Sequence, residues 1–185
     1  AISAVTGKAA RYNSWSKELY LYDTTIESVD EAIANLSMNG LEISLSGTNT
    51  FITLEETPLY IGAQTTIIGD EGEGGTLSVY SDDGNGIVMA ADLKMKDCTV
   101  GAESGYGSAI KGVNGTEKLS LDFATVEATG PEGSICNIGG LVIENSDITQ
   151  PSGAAFDATL KGVALNGAIV TDKGVIETDY LGLSF

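Results

Sequence analysis

Apolar and polar residues alternate along most of this chain, and the alternation is itself repeated. LYLYDTTI at 19–26 is echoed by LKMKDCTV at 93–100, LSLDFATV at 119–126, LVIENSDI at 141–148 and VALNGAIV at 163–170. Within one copy, Leu119, Leu121 and Phe123 alternate with Ser120 and Asp122, the two-residue period of a strand with one buried face. The third residue of each copy serves as a marker: Leu21, Ile43, Ile67, Met95, Leu121, Ile143 and Leu165, at intervals of 22, 24, 28, 26, 22 and 22 residues. Shorter apolar elements fall between the copies, at 33–36, 59–61, 87–89, 109–113, 135–138 and 155–160. A unit of this length, with two or three short strands and glycine-rich corners, predicts an all-β fold: a single-stranded parallel β-helix, or solenoid, of about seven coils. At about 4.8 Å per coil the rod is on the order of 34 Å long.

The corners carry the next expectation. Gly47, Gly69, Gly130, Gly153 and Gly167 follow the inward strand residues, where a bend calls for positive φ. Residues 1–18 lack the coil pattern and hold the single tryptophan, so they are read as an N-terminal capping segment, with Trp15 as a plug over the first coil. Residues 19–185 form the β-helix, and no linker divides the chain into further domains. Cys98 and Cys136 are read as small core or near-core fillers, on different strands of their coils.

Composition narrows the partners. The chain has 9 basic and 26 acidic residues, no histidine, and a formal net charge of −17. Such a surface repels phosphate backbones and anionic lipids, which argues against nucleic-acid and membrane-surface binding. No apolar run is long enough to span a bilayer, so membrane insertion is not expected. Without histidine there is no Ser-His-Asp or Cys-His arrangement and no histidine metal site.

Three groups of residues carry candidate chemistry. Outward positions stack from coil to coil, giving one column of Tyr20, Glu42, Lys94, Ser120, Val142 and Ala164 and another of Tyr22, Ser44, Lys96, Asp122, Glu144 and Asn166. Lys96, Asp122 and Glu144 then become cross-strand neighbours, either as the base and charge-neutralising groups of a polysaccharide-cleaving site or as a solvated ion-pair ladder. The acidic glycine turns at 69–75 and 81–86 offer Asp70, Glu71, Glu73, Asp82 and Asp83, oxygen ligands suited to calcium, although neither follows an established calcium-loop spacing. Tyr20 and Tyr22 point the same way off one strand and, with Trp15 and Tyr12 nearby, suit either stacking on sugar rings or packing against the capping segment.

The stretch from Gly7 to Leu21 (GKAARYNSWSKELYL), with Gly47 to Thr50 (GTNT) and Thr66 to Gly69 (TIIG), resembles uncharacterised repeat domains of exported proteins in Bacteroidetes and some Firmicutes. The resemblance implies a right-handed β-helix outside the cytoplasm, on the cell surface or secreted, of an adhesin-like or carbohydrate-binding kind. No functional residue is carried over with it. The leading expectation is therefore a non-catalytic module that binds glycan or host protein and needs no cofactor, calcium apart. The alternatives are an enzyme of the polysaccharide lyase or glycoside hydrolase type, and a structural spacer in a multidomain surface protein.

Overall fold

A computed structural model describes residues 2–70, 72, 74–150, 163–165, 168–171 and 174–177. Strand β2 (Glu18–Ser28) shows how the sequence becomes structure. Leu19 and Leu21 turn inward while Tyr20 and Tyr22 turn outward, as the two-residue period demands. Asp23 then adopts φ 44°, which bends the chain and resets the alternation so that Thr24, Ile26 and Ser28 face in. The same corner recurs at Gly47 (φ 66°), Asp97 (50°), Phe123 (51°) and Asn145 (48°). Glycine, aspartate and asparagine tolerate this left-handed region, whereas an aromatic residue enters it at a steric cost.

Each turn of the solenoid has three faces. The first face stacks the leading halves of β2 and β4 (Leu41–Thr53), then β6 (Thr65–Gly69), β9 (Leu93–Lys96), β12 (Lys118–Asp122), β15 (Gly140–Glu144) and β18 (Ala168–Thr171), all parallel. The second face stacks the trailing halves of β2 and β4, then β7 (Gly75–Ser81), β10 (Thr99–Ser104), β13 (Thr125–Thr129) and β16 (Asp147–Gln150). Because β2 and β4 run unbroken through the corner, these two faces form one thirteen-stranded sheet among the described residues. The third face is a separate sheet of short strands: β3 (Ile33–Asn35), β5 (Leu59–Ile61), β8 (Ile87–Met89), β11 (Ser108–Gly112), β14 (Gly133–Ile138) and β17 (Val163–Leu165). The result is an all-β parallel β-solenoid with about five turns in full view.

Inside, residues in register build continuous columns. On the second face Ile26, Phe51, Val79, Ala102 and Ala128 lie in successive turns, and from Phe51 onward the side chains shrink along the rod. On the third face Ile33, Leu59, Ile87, Ile110 and Ile135 do the same. Leu59, Ile87, Ile110 and Ile135 are wholly inaccessible to solvent. Each such side chain contributes about 1.5–3 kcal/mol through removal from water.

The register corrects several expectations. Ile43, Ile67, Met95, Leu121 and Ile143 do share a column, but it begins at Leu19. Leu21 is level with Leu45, and Leu165 lies on the third face beside Ile138. The outer columns shift with it: Glu18 stands beside Glu42, Tyr20 beside Ser44, and Tyr22 beside Ser46. Past that point the register slips by a further residue, with Asp23 and Thr24 of β2 facing Gly47, Thr48 and Asn49 of β4. Phe123 is not an inward strand residue; it occupies the corner and is 60% exposed. Gly69 and Gly130 are glycines for close approach and not for positive φ. A Cβ on Gly69 would lie 2.0 Å from the carbonyl oxygen of Asp97, and one on Gly130 would lie 2.7 Å from the amide of Ala109. Gly153 and Gly167, and the apolar stretch 155–160, lie outside the described residues.

At the start of the chain, β1 (Ile2–Asn13) runs antiparallel to β2 and occupies its open edge. Tyr12 is level with Leu19 and its hydroxyl donates to Met38 Sδ at 3.1 Å. Trp15 is 96% exposed in the turn between β1 and β2, so it plugs nothing. β19 (Gly174–Glu177) pairs antiparallel with β18. Among the described residues no helix is long and apolar enough to cross a membrane.

Candidate functional site

The corner between the first and second faces brings two of the predicted groups together. Register places Lys96, Asp122 and Glu144 side by side at the last outward position of the first face. The ion pairs do not follow that column. Asp122 accepts Lys94 Nζ at 2.9 Å, while Lys96 Nζ lies 3.6 Å from Asp97, its neighbour in sequence. A flexible lysine reaches diagonally as readily as directly across a parallel ladder, and both lysines are half exposed, so each pair is worth about 1 kcal/mol at most.

One residue further along, the chain turns the corner. In the third turn the corner is a loop: Asp70 N donates to Leu45 O at 2.9 Å, and Gly74 N donates back to Asp70 O at 2.9 Å. In the next two turns it is a single residue, Asp97 and then Phe123, whose amides donate to Asp122 O at 3.0 Å and Glu144 O at 3.1 Å. Along these corners lies a notch of ≈ 420 Å³ lined by Asp70, Gly72, Gly74, Asp97 and Phe123. Its chemistry is an exposed aromatic ring beside two carboxylates. Such a surface stacks on an apolar ring face and accepts hydrogen bonds from hydroxyls.

The remaining predicted residues lie elsewhere. Glu71 and Glu73 fall outside the described residues. Asp82 and Asp83 sit at the next corner, between the second and third faces, where their amides donate to Thr53 O (3.1 Å) and Leu54 O (3.0 Å) of the preceding turn. They therefore do not share a site with Asp70. Among the described residues no three histidine, cysteine, aspartate or glutamate side chains converge as metal ligands. Tyr20 and Tyr22 face outward on the first turn, opposite Arg11 and Ala9 of β1. Arg11, the single arginine, is thus five strands from Asp122.

Several residues with chemical character escaped the sequence reading. Tyr80 Oη donates to Asp82 Oδ1 at 3.1 Å, and that bond, with the charges of Asp82, Glu103 and Asp83, raises the phenol above its ordinary pKa. Glu117 is buried at a corner before the first face. Burial acts to raise its pKa, but amide donors from Asn114 (2.8 Å) and Thr116 (3.1 Å) and the Asn114 side chain (2.7 Å) outweigh it, and the net shift is downward. Cys98 is buried and its thiol is pushed up to about 12, chiefly by that burial, so it is a filler as expected. Cys136 instead faces outward beside Lys111. Neither cysteine forms a disulfide.

Fold and corner together define a parallel β-solenoid with an aromatic, acidic notch on one edge. Comparison with protein families, with characterised proteins and with solved structures finds no match to this chain. Of the resemblance noted in the sequence, the strand topology bears out the solenoid fold alone, and no family or homologue is identified.

Proposed function

We propose that this chain is a non-catalytic binding module, on the cell surface or secreted, that recognises a glycan through the notch beside Phe123. One observation carries the reading: Phe123 holds a left-handed backbone at φ 51° and yet leaves its ring 60% exposed. A bulky residue in that region is strained, and burial does not compensate the strain here. A ligand-binding part accounts for keeping the residue there, since Phe123 lines the notch together with Asp70 and Asp97 and its ring is open to solvent. In this reading the coil is right-handed, the hand that parallel β-crossovers adopt, and it completes the seven coils that the repeats suggest. Lys94 and Lys96, tied to Asp122 and Asp97, favour a structural part for the Lys96–Asp122–Glu144 column over a catalytic one.

The test is a glycan array followed by calorimetry on Phe123→Gly. Glycine suits the corner conformation, so the variant should melt at the same temperature or higher while binding at least tenfold more weakly. A wild-type protein silent across the array sinks the reading, and release of unsaturated or reducing sugar would replace it with an enzymatic one.

A further inference from the structure

The second face holds a glycine that the fold does not ask for. Gly101 sits in the middle of β10, level with Ser78 and Glu127 and pointing outward. Its φ is not positive, and a Cβ there would meet nothing closer than Ser78 Oγ at 3.8 Å, an ordinary van der Waals contact. Glycine within a strand weakens it, because it adds backbone freedom and packs no side chain. Every outward neighbour in its column, Thr50, Ser78 and Glu127, carries a side chain. What the absent side chain leaves is a groove of ≈ 200 Å³ between Tyr80 on one side and Glu127 and Thr129 on the other. Tyr80 is held by its bond to Asp82, so the ring is already set as a wall.

The groove and the notch span the same three turns and lie at opposite ends of the second face. Thr76, Thr99 and Thr125 stand in register at the end nearer the corner, low side chains that leave the way between them open. From Phe123 to Thr129 is six residues, about 20 Å of strand. Resting on the glycan reading above, we propose that the site continues from the notch across the second face. A linear, uncharged polysaccharide lies along the strands there, with a sugar ring over Gly101 against Tyr80. Glu103 and Glu127, which line the groove, accept hydrogen bonds from the hydroxyls of such a ligand and repel the carboxylates of a uronate polymer.

Gly101→Thr tests this, because threonine extends the neighbouring pattern and favours strand. Calorimetry would use neutral linear glucan, mannan, xylan and galactan oligosaccharides, with polygalacturonate as the charged probe. The expected result is a neutral ligand for the wild type, at least tenfold weaker binding by Gly101→Thr with an unchanged or raised melting temperature, and a comparable loss in Tyr80→Ala. If the wild type binds a neutral oligosaccharide and both variants stay within twofold of it, the second-face extension is wrong while the glycan reading stands. Tight binding of polygalacturonate overturns the uncharged class alone. No binding to any probe or array member overturns both.

Discussion

Glu117 and Phe123 show how single corners of this solenoid differ in purpose. Glu117 turns a buried carboxylate into a cap: its oxygens accept two backbone amides and an Asn114 side chain, and its own carbonyl receives Gly139 N and Gly140 N from the next turn. Its folded pKa is lowered, so its contribution is fully present above the unfolded carboxylate value and is lost as pH falls through the folded one. Glu117→Gln should therefore destabilise the protein by about 1–3 kcal/mol at neutral pH, and the gap to wild type should close in acid, as the pH falls below the ordinary carboxylate range. Urea melts at a series of pH values measure this, and a gap that widens in acid would show the sign to be wrong. Phe123 turns its corner without burying its ring, and in the proposed reading that exposed ring is the surface on which a ligand stacks. Neither residue stood out in the sequence. Phe123 looked like the third member of an alternating strand, and only alignment with Asp23, Asp97 and Asn145, residues that tolerate positive φ, places it at the corner.

At the scale of the strand, the clearest device is a ladder of hydroxyls at the corner between the second and third faces. Ser28, Thr53, Ser81 and Ser104 end successive strands in register. Ser81 Oγ donates to Glu56 O of the turn before at 2.9 Å and accepts Gly84 N at 2.8 Å; Ser104 Oγ donates to Gly84 O at 2.6 Å and accepts Gly107 N at 2.7 Å. Thr53 Oγ1 donates to Glu56 O within its own turn. Ser28, at the bottom with no preceding turn, is buried and its Oγ has no partner. Ser81→Ala and Ser104→Ala should each destabilise by about 1–3 kcal/mol, since each leaves a turn amide without its bond and Ser104→Ala also strips the Gly84 carbonyl, whereas Ser28→Ala should be neutral or stabilising. Chemical denaturation distinguishes the three, and an equal loss from Ser28→Ala would refute the ladder. The existence of strands was legible here because alternation depends only on which side chains face the core. The column from Ile43 to Ile143 was right for the same reason. Register at the ends was not legible: the bulge before Thr25 and the strand change at Leu165 preserve the apolar rhythm while moving residues between columns and faces.

For the molecule as a whole, charge is distributed more unevenly than its total suggests. Lys8, Arg11 and Lys17 give the first 17 residues a charge of +3 with no acidic residue, so the other 168 carry 6 basic and 26 acidic residues, a charge of −20. The capping strand β1 is the basic part, laid on the edge of an acidic rod. Two electrostatic effects of opposite sign follow. Repulsion within the rod opposes the compact state and weakens as salt shortens the screening length, from about 30 Å at 0.01 M to about 8 Å at 0.15 M. Attraction between cap and rod favours the closed edge and is weakened by the same ions. The repulsive set is far larger, so added salt should raise the global melting temperature. The cap alone should loosen, and amide exchange along β1 should quicken relative to β7 and β10, which the rod's own ladder holds. Hydrogen exchange at the two salt concentrations, beside thermal melts, tests both effects: a melting temperature that falls with salt would mean that attraction outweighs repulsion in the rod, and β1 amides that slow in step with β7 would mean that ladder hydrogen bonds and not charge hold the cap in place.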